Sequence, residues 1–425
     1  MSLRKLCVVL ALGFAGCGEE KSRGLELARG AEDPQVPTAE TVAGIAAGGP
    51  SLDLRIAAGP SIELGGEWLA LRTSGDPAPG PGATSGPELK VLHLSARGDQ
   101  VVWTQAGGPE TVEPGLLEVA PARGALAVTQ PITVLLGAAK IGRYRGVIRV
   151  SALRGVLQVT NRISLEEYLS SVVGSEMSAS VAPLDALRSQ AVAARTYALH
   201  AVQSRENRGQ PVELAPDESF QVYGGVEKEH PKVLQAVRET TGEVLTYRGR
   251  LFRAYFHASC GGHTSSGAEI FGEAPIEPLS GVECTDCVNA PRAQWTSTWS
   301  AVELSRALQS LEPRAGSPIQ GIEAIEVAER EPAGRVRYVR IRHAGGSFEL
   351  RATKLRALLS SKKEAPLRST DFTIRMSEAG FVFEGKGWGH GVGLCQGGTR
   401  TRAEQMDYRV LLGSYFPGSI LEKAY

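Results

Sequence analysis

Glu176 is the residue from which chemistry is first legible. Leu165, Tyr168, Leu169, Val172 and Val173 repeat at three- and four-residue spacing, and one further turn of that face reaches Glu176. A carboxyl group on a buried face loses solvation, which raises its pKa and leaves it protonated near neutral pH. A general acid needs that property. The same residue also fits the end of a helix with its head in solvent, a frequent place for glutamate. Periodicity leaves both readings open.

The cysteines are the second chemical signal. Cys260, Cys284, Cys287 and Cys395 lie beyond the N-terminal segment that holds Cys7 and Cys17. An even set in an exported chain points to two disulfides. Against that, Cys284-Thr-Asp-Cys287 has knuckle spacing for a tetrahedral metal, and Cys260-Gly-Gly-His263 offers a further ligand. Zinc and disulfides are both consistent with the residues. Either arrangement has a structural role.

The elements that must position these groups follow from patterning. Ser164 and Glu167 form an S-x-x-E capping signal at the start of the Glu176 helix. A second helix starts near Pro183 and carries Leu184, Leu187, Ala191, Ala194 and Ala198, a small-residue stripe that allows close packing. Short alternating segments at 91–94, 101–103, 132–136, 144–150 and 156–160 predict strands, with a hairpin turn at Arg154-Gly155. Strands are also predicted over 243–247 and 251–256, and as a pair over 322–327 and 336–341 joined at Pro332-Ala-Gly334. Residues 301–311 are predicted to be helical. A Gly-rich segment from Gly385 to Gly398 and a last short helix or strand close the chain.

The chain has 425 residues, equal totals of Lys+Arg and Asp+Glu, and ordinary apolar and charged fractions. This balance gives no electrostatic reason to expect a nucleic-acid or anionic-membrane partner. Arg4 and Lys5 precede an apolar run from Leu6 to Phe14 that is too short to span a bilayer. Phe14-Ala15-Gly16-Cys17 resembles a bacterial lipobox, with Phe where Leu or Val is usual. Residues 1–16 are therefore expected to be a lipoprotein signal, with Cys17 lipidated and anchoring the chain to a membrane of the cell envelope. An ordinary secretory signal is the alternative.

Residues 17–50 read as a flexible tether and 51–130 as a β-rich region. The Pro- and Gly-dense stretch 76–87 reads as a loop within the latter. Residues 131–425 read as the main functional domain, with an insertion at about 295–370.

Two long stretches carry a resemblance. Ser164 to Met177 and Ala186 to Ala198 closely resemble the stage II sporulation protein D family, which includes the amidase enhancer LytB. Further matches follow in order at Gln221-Val-Tyr-Gly-Gly225, Ala254 to Thr264, Leu367 to Phe372, Gly387 to Gly393 and Phe416-Pro-Gly418. The resemblance covers about residue 130 to the C-terminus. It implies an α+β fold, with a β-rich N-terminal region leading into a mixed helix and strand catalytic domain that carries a small inserted α/β subdomain.

The resemblance also implies that Glu176, in the Glu-Met pair, is the catalytic acid of a lytic transglycosylase. The substrate would be peptidoglycan glycan strands, in sporulation members strands already stripped of stem peptides. One carboxyl group would serve as acid and then as base, giving a 1,6-anhydro end, unlike paired-carboxylate hydrolases. Trp388 and His390 would supply a stacking face and a hydrogen-bonding group, and the glycines around them would let backbone approach the sugar. His390 also fits a histidine that pins the turn by a backbone bond. Arg195 would contact substrate, hold Glu176 or another acid, or be structural, and Gln190 lies in the same motif.

Cys260 and Cys395 stand where other members commonly have Ser. They would therefore lie close together and complete a four-cysteine site with Cys284 and Cys287, His257 or His263 being able to replace one thiolate. Some members are associated with zinc, and catalysis itself would need no cofactor. A non-catalytic enhancer that binds glycan and stimulates an amidase is the competing reading. Ser178, in place of the usual Pro, and the segment Leu394 to Gly398, which lacks the usual aromatic after Gln, depart from the family pattern.

Overall fold

The computed structural model describes residues 49–73, 89–105, 108–121, 131–137, 139–208, 213–214, 221–287, 293–311, 319–360 and 366–425. Residues 1–16, Cys17, nearly all of 17–50 and residues 76–87, read above as signal, lipidation site, tether and loop, lie outside these residues. Among the described residues no helix is long and apolar enough to cross a membrane.

The fold is α+β, as expected. Its largest sheet runs, in spatial order, through Glu213–Leu214, Ser51–Gly59, Val156–Ser164, Val147–Leu153, Leu117–Pro121, Ser61–Thr73, Leu89–Arg97, Gln100–Gln105 and Thr111–Glu113. Ile132–Leu136 and Ala139–Tyr144 branch from Ser61–Thr73. All pairings are antiparallel except that of Ser51–Gly59 with Glu213–Leu214. Inward residues at every second position, such as Leu52, Leu54, Ile148, Val150, Leu157 and Val159, are buried to the last few per cent. The Arg154-Gly155 hairpin forms as predicted, with both residues at positive φ (50° and 78°) as a two-residue turn requires. The strand predicted over 144–150 is broken at Arg145-Gly146, where Gly146 at φ 76° turns the chain.

Two helices rest on this sheet: α1 (Leu165–Glu176) and α2 (Leu184–Glu206). Their apolar stripes share one core with the strands, and a third helix, α3 (Pro231–Glu239), contributes Val233, Ala236 and Val237 to it. A second core joins Val192 and Ala193 of α2 to the cysteines, Val392, Leu394, Tyr415 and Phe416.

A third core, from Trp295 to Phe383, is built by two three-stranded antiparallel sheets and the helices Ala301–Leu308 and Ala352–Leu359. The predicted strand pair lies here, as Ile322–Arg330 against Val336–His343. The strand predicted over 251–256 forms only at its ends. Between Leu251 and Phe256 the Tyr255 amide donates to the Arg253 carbonyl, so the local turn takes hydrogen-bonding groups that a ladder would need.

Candidate functional site

Glu176 closes α1. Ser164 caps the helix start, accepting the Glu167 amide at 3.3 Å and donating its hydroxyl to Glu167 Oε2 at 2.7 Å. Leu165, Tyr168, Leu169, Val172 and Val173 are all buried, as the stripe predicts. Glu176 itself is only half-buried, so it is both the helix-end residue and the last member of the stripe.

Its carboxylate is held from two sides. Oε1 accepts the Val222 amide at 3.1 Å, and Gln396 Nε2 donates to Oε2 at 3.5 Å. Val222 is fixed in turn because Gln221–Gly225 is strapped along α1. Tyr168 donates its hydroxyl to Gln221 Oε1 at 2.7 Å, and the Gly224 amide donates to Ser171 Oγ at 3.1 Å. A Cβ at Gly174 would stand 2.0 Å from the Lys228 carbonyl oxygen, so only glycine lets the turn Gly225–Lys228 that follows the strap lie so close. Gln396 also donates to Gln190 Oε1 at 3.3 Å, and Gln190, on α2, is fully buried. Burial, with the nearby Glu176 charge second, drives the Tyr168 phenol well above its ordinary value, keeping it a neutral hydrogen-bond donor.

Val222 and Gln396 are positioning groups that residue chemistry alone does not reveal. Their only sequence signal is membership of the 221–225 and 394–398 motifs.

Arg195 does not reach this site. Its guanidinium is fully buried and forms a two-armed ion pair with Glu166 at 2.7 and 2.8 Å, with a further bond to the Glu243 carbonyl at 3.0 Å. Tyr425 donates its hydroxyl to the same Glu166. Of the roles the sequence left open, substrate contact is corrected: a buried, fully engaged guanidinium ties α2 to α1 and is closed to ligand.

The Gly387–Gly393 segment packs on the protein itself. A Cβ at Gly393 (φ 72°) would lie 2.1 Å from the Tyr255 carbonyl oxygen, and one at Gly391 (φ 85°) would lie 2.5 Å from the Arg335 guanidinium. These glycines serve backbone packing against the protein, where the sequence suggested approach to a sugar. His390 Nδ1 accepts the Val392 amide at 3.0 Å, and the ring has a second backbone bond at Phe256. It sits edge-on to Tyr255 and Phe271, with ring centroids 5.6 and 5.2 Å away. Burial, then the charges of Arg356 and Arg335, push its pKa down to about 3. His390 is thus a neutral pin of the turn, with its hydrogen-bonding capacity used by backbone. Trp388 keeps an exposed face, 38% accessible, beside the Arg368 guanidinium 4.7 Å from its ring centroid.

The four cysteines meet, as the sequence reading inferred. Strand Phe256–His257 pairs in parallel with Leu394–Cys395, which brings the Cys260 loop to Cys395. The Cys284 amide donates to the Gly262 carbonyl at 2.9 Å and seats the Thr285–Cys287 turn on the same loop. All four sulfurs are buried, lie within 4.8 Å of one another and are free of disulfides. His263 points elsewhere: it is exposed, with Nδ1 2.6 Å from the Thr264 carbonyl. His257 bonds the Val392 carbonyl at 3.1 Å and is not among the clustered groups.

The donor set fits a metal. Tetrahedral Zn–S bonds of about 2.3 Å place sulfurs about 3.8 Å apart, within the observed range. Backbone amides of Cys260 and Gly398 donate to Cys395 Sγ at 3.3 and 3.4 Å, and that of Gly262 to Cys260 Sγ at 3.4 Å. Such donors stabilise thiolates. Hydrogen bonds from Cys260 pull Cys287 and Cys284 down, whereas burial pushes Cys395 up. Bonds to Cys284 and Cys287, then burial, push Cys260 up as well, so the four sulfurs could ionise together only with a cation between them. Cys395 also caps the helix Gln396–Arg402, so the cluster sets the position of Gln396.

A family model described as stage II sporulation protein matches residues 154–247. The chain is 33% identical over 276 residues to an uncharacterized protein of Brachyspira hyodysenteriae, covering 65% of this chain and 71% of that one. It is 27% identical over 271 residues to stage II sporulation protein D of Bacillus subtilis, covering 61% and 74%. The chain belongs to the stage II sporulation protein D family. The amidase enhancer of Bacillus subtilis is another relative, 27% identical over 300 residues, with 60% of this chain matched to 40% of that longer protein. A second model, described as a domain of unknown function, matches residues 283–393. The third core, Trp295 to Phe383, falls wholly within that match.

Proposed function

We propose that this family member is a lytic transglycosylase of peptidoglycan, cleaving between N-acetylmuramic acid and N-acetylglucosamine in glycan strands, with Glu176 as its one catalytic carboxyl group. The observation that carries this reading is the placement of Glu176: half-buried, at a helix end, and oriented by the Val222 amide and Gln396. In the proposed reaction the Glu176 carboxyl gives its proton to the glycosidic oxygen as the bond to the muramic C1 breaks. The C6 hydroxyl oxygen of the same sugar then bonds to C1, and its proton passes to the Glu176 carboxylate. The acid is restored and a 1,6-anhydro end is formed, without water as a reactant.

The four-cysteine cluster is proposed to hold a structural zinc, bound by Cys260, Cys284, Cys287 and Cys395. It contributes no step of the reaction. Export through residues 1–16 and anchoring through a lipidated Cys17 are proposed to place the domain beside its polymer, denuded strands being the favoured form.

The test is a comparison of wild type and Glu176→Gln on intact and amidase-treated sacculi. Anhydro products from wild type alone support the reading, and undiminished release by the variant sinks it. A second reading has its own support in the relative named amidase enhancer. It would show as glycan binding and amidase stimulation without anhydro products from either protein.

A further inference from the structure

A cleft of about 850 Å³ opens on the third core, in the range of about 300–1,000 Å³ usual for ligand pockets. It lies within the match to the domain of unknown function and outside the stage II sporulation protein match. The outer face of the sheet formed by Gln294–Trp299, Gly380–Lys386 and Phe372–Ser377 lines it. Gln294 stands opposite Lys386 and Thr296 opposite Glu384, so these four side chains share that face, while Trp295 and Phe372 belong to the core. Asp371 and Arg330 complete the polar lining.

Which of these groups are already engaged decides what the cleft can take. Arg330 donates to the Gly334 and Phe372 carbonyls at 2.6 and 2.9 Å, and Glu384 accepts Arg375 at 2.9 Å. Gln294, Thr296, the Asp371 carboxylate and the Lys386 ammonium make no side-chain hydrogen bond to any described residue. Asp371 and Lys386 meet as an ion pair at 3.7 Å, longer than a hydrogen bond. The Asp371 side chain is only 17% exposed, and burial pushes its carboxyl up. A carboxylate that has lost water without gaining a donor is an acceptor waiting for one.

A hydroxyl can bridge this pair, donating to Asp371 and accepting from Lys386, and leave the pair in place. An ionic ligand would have to pull it apart. The free set of carboxylate, ammonium, amide and hydroxyl therefore suits a neutral ligand rich in hydroxyl and amide groups. The same ribbon carries an aromatic ring. The Lys386 amide donates to the Asp371 carbonyl and the Gly389 amide to the Arg368 carbonyl, both at 2.9 Å. Asp371–Lys386 and Arg368–Trp388 are thus neighbouring side-chain pairs across it, and the half-exposed Trp388 ring offers an apolar face to a pyranose.

We infer that this cleft is a subsite for a strand of N-acetylated amino sugars, with Asp371 and Lys386 as its hydroxyl-binding pair. It is built from residues other than those that hold Glu176. The choice of an amino-sugar strand rests on the proposed action on peptidoglycan, whereas the fit to a neutral polyhydroxyl ligand rests on the cleft itself.

The experiment uses full chains carrying Glu176→Gln, so that turnover does not interfere, with and without Asp371→Ala. Calorimetry measures binding of a soluble N-acetylglucosamine tetramer and of a free stem peptide. Asp371→Ala is expected to weaken the tetramer about 10-fold, as loss of a charged hydrogen-bond partner does. Should that variant fail to fold, Lys386→Met, which removes an exposed ammonium, takes its place with the same expectation. Equal tetramer affinity with and without the substitution overturns the subsite, as does a parent chain that binds no tetramer. Stem-peptide binding that alone depends on Asp371 overturns it too, because the cleft would then read peptide. Anhydro-product release by the chain with Glu176 intact is read separately. Release without Asp371-dependent tetramer binding refutes the subsite alone. Asp371-dependent binding without release refutes the transglycosylase reading and leaves the subsite standing.

Discussion

Glu176 and Gln396 are 220 positions apart in sequence, yet Gln396 Nε2 lies 3.5 Å from Glu176 Oε2. The contact joins the helix that ends at Glu176 to the helix that starts at Gln396, directly after Cys395. Gln396 also bonds the buried Gln190, which fixes the orientation of its amide.

Replacing Gln396 should therefore misplace Glu176 without unfolding the protein. On the transglycosylase reading proposed above, Gln396→Leu is expected to lower turnover of glycan about 10- to 100-fold, the cost of an ångström-scale displacement of the acid. Thermal unfolding should change little. The measurement is anhydro-product release per unit of folded protein, and wild-type rates in the variant would remove Gln396 from the site.

The Arg195–Glu166 pair predicts a stability effect. Both side chains are buried, so deleting one strands the other charge. Arg195→Met should cost about 3–5 kcal/mol by urea unfolding, and the double variant with Glu166→Leu should regain much of that loss. A double variant as unstable as the single one would show that packing, and not the stranded carboxylate, sets the cost.

What was legible in the sequence divides along physical lines. Local signals carried far: the Ser164 cap, the α1 stripe, the small face of α2 and the Arg154-Gly155 turn each depend on neighbours within a few residues. The cysteine cluster was inferred from family substitution patterns, since no spacing rule links Cys260 to Cys395. Of the readings left open for Arg195, the pairing with another acid is met and substrate contact is not, because residue type does not say which face of the protein a group meets. Arg195 finds Glu166 only when α1 and α2 pack, and Gly393 meets Tyr255 only when two distant loops dock. The strap over Val222 was invisible for a further reason: its donor is a backbone amide, which every residue but proline has.

His390 predicts an acid-sensitive term. Its pKa falls from the ordinary histidine value of about 6.5 to about 3 on folding. The unfolded chain therefore takes the proton first as pH drops, and protonation favours unfolding. The contribution of this residue is complete above about pH 6.5 and drains away as pH falls toward 3. His390→Gln keeps an acceptor for the Val392 amide but cannot titrate. Urea midpoints between pH 7.5 and 5 should fall less steeply in the variant, and parallel slopes would exclude His390 as the source.

Metal removal should act on stability and on chemistry together. The cluster binds the Cys260 loop, the Thr285–Cys287 turn and Cys395 into one unit, and Cys395 caps the helix that presents Gln396 to Glu176. Without the cation, four buried thiols cannot all be ionised, and the sulfurs lose the attraction that gathers them. Treatment with a strong chelator should lower the melting temperature and expose four titratable thiols under native conditions. Turnover should fall with occupancy, because Gln396 loses its fixed position. Restoring zinc should restore all three properties in parallel. Cys284→Ser provides the genetic counterpart, with an expected loss of bound zinc and of activity. Full activity in metal-free protein, or a protein whose four cysteines are found as two disulfides, would exclude this coupling.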